Sequence, residues 1–163
     1  MSEGPTAAEA QALAERAVAH ILAHDAFSRW LGVEVLEVAP RRSVARMTVR
    51  PEMLNGFGIA HGGVAYAFAD SVFAFACNSH GSVSVALENV MSYPRPAHAG
   101  DVLTGTAEAE YEPRRIGTYR VTVANQRGEV VGLFRGTCYD TRRPLLPDAG
   151  AEGAAPAGER AGG

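Results

Sequence analysis

Asn55-Gly56-Phe57-Gly58-Ile59-Ala60-His61-Gly62-Gly63-Val64-Ala65-Tyr66-Ala67-Phe68-Ala69-Asp70-Ser71-Val72-Phe73-Ala74-Phe75-Ala76-Cys77-Asn78 is the stretch on which the fold turns. It opens with glycines and a polar residue, the composition of a loop. From about His61 to Asn78 it becomes one long helical segment. Val64, Ala65, Phe68, Ala69, Val72, Phe73, Phe75 and Ala76 spread around its whole circumference, and a helix that is apolar all round is a buried one.

Strand patterns flank this helix on both sides. Ala45, Met47 and Val49 alternate with Arg46, Thr48 and Arg50 before it. After it, Leu103, Gly105, Ala107 and Ala109 alternate with Thr104, Thr106, Glu108 and Glu110. Tyr119, Val121 and Val123 alternate with Arg120, Thr122 and Ala124, and a further strand runs from Val130 to Tyr139. The turns Glu112–Gly117 and Gln126-Arg127-Gly128 are too short for the crossovers that parallel strands need, so these neighbours are antiparallel. The expected fold class is α+β, a curved antiparallel sheet wrapped around a central helix.

Further out, Thr6 and Glu9 form a T-x-x-E capping box, and Leu13, Ala17, Ile21 and Leu22 recur at helical spacing behind it. Residues 1–24 are thus expected to hold an extra N-terminal helix. Asp25 reads as a second N-cap, opening a short helix with Phe27, Trp30 and Leu31 that stops at Gly32. Residues 25–143 form the main domain, and 146–163, rich in Ala, Gly, Pro and acids without periodicity, read as a disordered tail.

The bulk properties exclude several classes. The chain has 163 residues, 47% apolar and 20% charged, enough for one domain with a real core. A net charge of -3 without a basic stripe gives no footprint for nucleic acid. No apolar run is long enough to span a membrane, and no basic segment followed by an apolar one opens the chain, so a cytoplasmic location is expected. Every basic residue is arginine, a bias with the mark of base composition rather than mechanism. Cys77 and Cys138 lack metal-ligand spacing and read as reduced core thiols. His20 and His24 have an i, i+4 spacing that can hold zinc, but no third ligand accompanies them, so no metal is expected.

Two features carry chemistry. Asp70 is the only acid between Glu52 and Glu88, set in a run of Phe and Ala. A buried carboxylate must be paired, placed at an interface, or functional, and a structural acid bonded to an amide or a hydroxyl is one of the open roles. Gly62 and Gly63 stand in the first turn, where glycine costs helix stability but free N–H groups can hold an oxyanion. A plain tight turn is the other reading of this pair. Gly62 and Asp70 are eight residues apart, about 12 Å along a helix. A base or nucleophile must act within about 3–3.5 Å of the carbon whose oxygen the donors hold. If both are catalytic, Gly62 of one subunit must meet Asp70 of another.

Residues 55–81, ending Ala76-Cys77-Asn78-Ser79-His80-Gly81, closely resemble the helix motif of the phenylacetate-degradation (PaaI-type) hotdog thioesterases. Tyr93-Pro94-Arg95-Pro96-Ala97 and Gly100-Asp101 resemble the same family, and the likeness covers about Asp25 to Arg143. It implies a hotdog fold, a homodimer as minimal unit assembled into a homotetramer, and hydrolysis of acyl-CoA thioesters, with phenylacetyl or hydroxyphenylacetyl groups favoured. It also implies that Asp70 is general base or nucleophile, that Gly62 is the oxyanion donor, that Asn55 orients water or the carbonyl, and that His61 supports the loop. No cofactor is implied, coenzyme A being part of the substrate. Gly63, Tyr66 and Phe73 are expected to line the substrate site, core packing being the equal reading of the two aromatic residues, and Arg114 and Arg115, of a set with Arg95, Arg142 and Arg143, to meet the CoA phosphates, plain surface charge being the other reading of each. The competing readings are a hotdog dehydratase or hydratase with His61 as base, and a non-catalytic acyl-CoA-binding protein.

Overall fold

The computed structural model describes residues 4–147. Ala7–His24 form α1, Ala26–Leu31 α2, Glu34–Ala39 β1 and Arg42–Thr48 β2. A 3₁₀ turn at Pro51–Met53 leads to α3, Gly62–Asn78, followed by β3 (Ser82–Ser92), β4 (Val102–Tyr111), β5 (Ile116–Ala124) and β6 (Val130–Pro144). Both N-terminal caps form as the sequence dictates. Thr6 and Glu9 close a capping box on α1, and Asp25 accepts from the Phe27 and Ser28 amides at the start of α2. Gly32 ends α2 in the left-handed region at φ 78°.

The six strands pair in the order β1-β2-β4-β5-β6-β3, and every pair is antiparallel. The chain therefore enters α3 from β2 near one edge of the sheet and leaves it into β3 at the other. The concave face closes on α3. Phe68, Val72, Phe73 and Phe75 pack against Leu103, Ala107, Tyr119, Val121, Val123 and Phe134, all fully or almost fully buried.

Two expectations change. The strand patterns named four strands, whereas the sheet has six, the additional ones being β1 and β3. Both are edge strands, and both slip register, between Val35 and Glu37 in β1 and at Ser82/Ser84 and Ala86/Glu88 in β3. Each bulge breaks the two-residue alternation on which a strand is recognised. Secondly, α3 is not buried all round within one chain. Gly63 is exposed, and Tyr66, Ala67, Asp70 and Ala74 are half-buried, a stripe at helical spacing that the sheet does not cover. The tail expected from 146 falls, beyond Pro147, outside the described residues. Among the described residues no helix is long and apolar enough to cross a membrane, and no group of three or more His, Cys, Asp or Glu could hold a metal ion.

Candidate active site

The loop before α3 is ordered by its own backbone. The Asn55 amide donates to the Ile59 carbonyl at 2.8 Å, and Gly58, at φ 76°, returns an N–H to the Asn55 carbonyl at 3.0 Å. The Asn55 Oδ1 accepts from the Phe57 amide at 2.9 Å and the Ile59 amide at 3.4 Å. Asn55 thus spends its side-chain oxygen on the loop, and its Nδ2 is the part free to meet a ligand. The loop is tied to its surroundings by the Ala60 amide on the Ala97 carbonyl and the His61 amide on the Met53 carbonyl.

His61 is the N-cap of α3, its Nδ1 accepting from the Gly63 amide at 2.9 Å. That lone pair is committed to the helix, which leaves Nδ1 unable to serve as a base. The Gly62 amide, by contrast, has no hydrogen-bond partner among the described residues. It stands at the positive end of the helix dipole, where a developing negative charge is stabilised. Tyr93 secures the same residue, donating its hydroxyl to the Gly62 carbonyl at 3.1 Å. Burial, with Tyr66 nearby, pushes the Tyr93 phenol above its ordinary value, so it remains a donor.

A cavity of about 370 Å³ opens beside this turn, lined by Asn55, Ile59, Ala60, Gly62, Ala65, Tyr93, Pro94, Arg95, Pro96, Ala97 and Val131. Its size and largely apolar wall suit a small-molecule ligand. The structure therefore brings Asn55 and Gly62 together. It does not bring Asp70 to them, because Asp70 lies two turns further along α3 on the half-covered stripe.

Asp70 has its own partner. Asn89, on β3, donates its Nδ2 to Asp70 Oδ1 at 2.7 Å. Burial raises the Asp70 carboxyl above the usual carboxylate value, and the Asn89 bond opposes part of that rise. The sequence offered no signal for Asn89, which is separated from Asp70 by a helix end, a turn and two strand bulges. Tyr93 was visible only within the family-like Tyr93–Ala97 segment.

The remaining expected site residues lie elsewhere. Gly63 gives its amide to His61. Tyr66 meets the Phe134 ring edge-on at 5.6 Å. Phe73 is 1% exposed and packs against Tyr119 and Phe134, so it is a core residue and not part of the cavity wall. Arg114 is exposed in the β4–β5 turn, and Arg115 stacks on Tyr139 and donates to its hydroxyl. Neither arginine lines the cavity, whereas Arg95 does. The His20 and His24 rings lie 4.5 Å apart and tilted by 43°, with His24 Nδ1 against the His20 carbonyl.

Residues 57–131 match the family model described as the thioesterase superfamily. The Escherichia coli (strain K12) acyl-coenzyme A thioesterase PaaI is 39% identical over 116 residues, covering 71% of this chain and 83% of that protein. This chain belongs to the PaaI-type hotdog thioesterases. The solved structure of the E. coli PaaI protein from the phenylacetic acid degradation operon superposes on this thioesterase with a TM-score of 0.81 at 34% identity, over 82% of this chain and 97% of that one. A hypothetical thioesterase from Streptococcus pneumoniae TIGR4, solved with coenzyme A, superposes with a TM-score of 0.66 at 26% identity, over 69% of this chain and 88% of that one. In this thioesterase, the sheet wrapped around α3 is the hotdog fold, and the glycine turn of the helix lies inside the matched segment.

Proposed function

We propose that this thioesterase hydrolyses acyl-CoA thioesters, with aryl-acetyl groups such as phenylacetyl or hydroxyphenylacetyl preferred, in sites shared between two subunits. The observation that carries the reading is the unpartnered Gly62 amide opening on an apolar cavity. Coenzyme A bound to the S. pneumoniae relative and the name of the E. coli one support the substrate class. Tyr93, Pro94 and Pro96 give the cavity flat apolar walls suited to an aromatic acyl group or its pantetheine arm. Arg95, at the same wall, is the cation best placed for the CoA phosphates.

In this reading the thioester oxygen is held by the Gly62 amide, with Asn55 Nδ2 beside it. Asp70 of the other subunit takes a proton from water as the water oxygen bonds to the carbonyl carbon. The tetrahedral intermediate then expels the CoA thiolate, which recovers a proton, leaving the free acid. Direct attack by Asp70, giving a mixed anhydride that water then opens, uses the same two groups. The dimer is supported by the roughly 12 Å that one helix puts between Gly62 and Asp70, and by the stripe around Asp70 that one chain leaves half-covered. Paired β3 edges of two copies would cover that stripe, and such dimers would assemble further into the homotetramer.

CoA release from a panel of aryl-acetyl and straight-chain acyl-CoAs tests this directly. The expected result is turnover with aryl-acetyl substrates ahead, and a loss of about 10²- to 10⁴-fold in Asp70→Asn, the range for removal of a general base. Binding without hydrolysis of every thioester in the panel would overturn it.

A further inference from the structure

Asn89 reaches Asp70 from a different element, and the local backbone is shaped to admit it. Asn89 and Gly136 are register partners across β3 and β6. A Cβ on Gly136 would sit 2.9 Å from Asn89 Oδ1 and 2.9 Å from the Phe73 ring, so only glycine lets the amide and the ring keep their places. Asn89 Oδ1 itself is buried with no hydrogen-bond partner. An apolar side chain at this position would avoid that orphaned acceptor. The amide is therefore explained by its one satisfied contact, the donation to Asp70.

The last torsion of an aspartate is broad and roughly two-fold, so nothing in the side chain itself fixes the carboxylate plane. We propose that Asn89 is the positioning residue of the reactive carboxylate: by holding Asp70 Oδ1 from the sheet edge, it turns Oδ2 toward the reacting atoms of the opposite subunit. This rests on the reading of Asp70 given above. The bond has a second effect. Burial favours the neutral acid, while an N–H donor favours the ionised form that a base or nucleophile requires. Among the described residues no charged side chain from α3, β3 or β6 offsets Asp70; of the other titratable side chains on α3, Tyr66 lies one turn before it on the same half-covered stripe, and Cys77 is held as a neutral thiol by Cys138 and burial. Glu88 beside Asn89 is exposed to solvent.

The experiment follows CoA release against pH for Asn89→Ala, with Asp70→Asn and wild type alongside, each first shown to be folded and of wild-type mass. Asn89→Leu supplies the same comparison if the alanine variant does not fold. The expected result is a fall in kcat of roughly 10- to 100-fold, the usual cost of losing the partner that orients a reactive group. KM should hardly move, and the acid limb of kcat/KM should shift to higher pH. Wild-type kcat and an unmoved acid limb, with Asp70→Asn inactive, would overturn the proposal and leave the role of Asp70 standing. Full activity in Asp70→Asn would overturn both together.

Discussion

The two edges of the sheet are built differently. β1 is six residues long and turns glutamates outward, Glu34 paired with Arg46 and Glu37 with Arg42. α1 lies beside it, and Gln11 on that helix donates to the Val38 carbonyl at 2.7 Å. Such shortness, charge and cover are the devices by which sheet edges avoid pairing with other chains. β3 is eleven residues long, and Val85, Leu87 and Val90 on it are 42%, 57% and 58% exposed. Among the described residues no element covers its outer side. It is also the strand that holds Asp70 through Asn89. The covered edge makes no contact with the proposed site, while the open one holds the acid of that site through Asn89. An edge with exposed apolar side chains next to a half-buried carboxylate is what a shared site requires of each half before it assembles.

That contrast can be broken most decisively by mixing chains. Gly62→Pro removes the oxyanion N–H at the first helical position, where proline suits an α-helix and where His61 already has the extended backbone that precedes proline. Alone, it and Asp70→Asn are each expected to be nearly inactive. Co-expressed, they should recover about a quarter of the wild-type rate, since half of randomly paired two-fold dimers are mixed and each mixed dimer has one intact site of two. No recovery in verified mixed dimers would place both groups in one chain and make the open edge irrelevant to catalysis.

A gentler comparison puts the same charge on each edge. Leu36 of β1 is 48% exposed and Leu87 of β3 57%, and both sit at bulges. Leu87→Asp should lower the mass in light scattering to that of the monomer and lower CoA release in step, because like charges then face each other across paired strands. Leu36→Asp should leave mass and activity as they were. Equal effects from the two would erase the distinction between the edges.

The smallest effect concerns stability. Burial gives Asp70 a higher folded-state pKa than it has in the unfolded chain. The folded chain therefore binds that proton more readily, and stability falls as pH rises from the ordinary carboxylate value through the raised one. Asp70→Asn lacks this loss and can still accept from Asn89. Its melting temperature should match wild type in acid and stand at or above it at neutral pH. A variant that melts below wild type at neutral pH would mean that the carboxylate is a structural partner of β3 after all.

Much of this molecule was legible before its structure. The capping box at Thr6, the N-cap at Asp25 and the stop at Gly32 are local hydrogen-bond and backbone preferences, and local physics is written in adjacent residues. The same holds for the antiparallel order of β4, β5 and β6, which short turns impose. β1 and β3 escaped because their bulges shift the side chains by one position, and edge strands lack a second neighbour to enforce the pattern. For Phe73 pocket wall and core were equal readings, and the structure packs it in the core, because an aromatic residue on a helix carries no mark of which neighbour it will meet.

The sequence by itself determined the long apolar helix, its glycine N-terminus and an isolated acid eight residues on, and so the spacing of about 12 Å that separates them. Those follow from periodicity and the fixed rise of a helix, which need no partner. Only the tertiary structure decided that Asn89 holds that acid, that the cavity opens beside Gly62 and Tyr93 rather than Asp70, and that β3 is the bare edge. Those depend on which strands lie side by side, and pairing between residues far apart in the chain is set by the packing of the whole sheet around its helix.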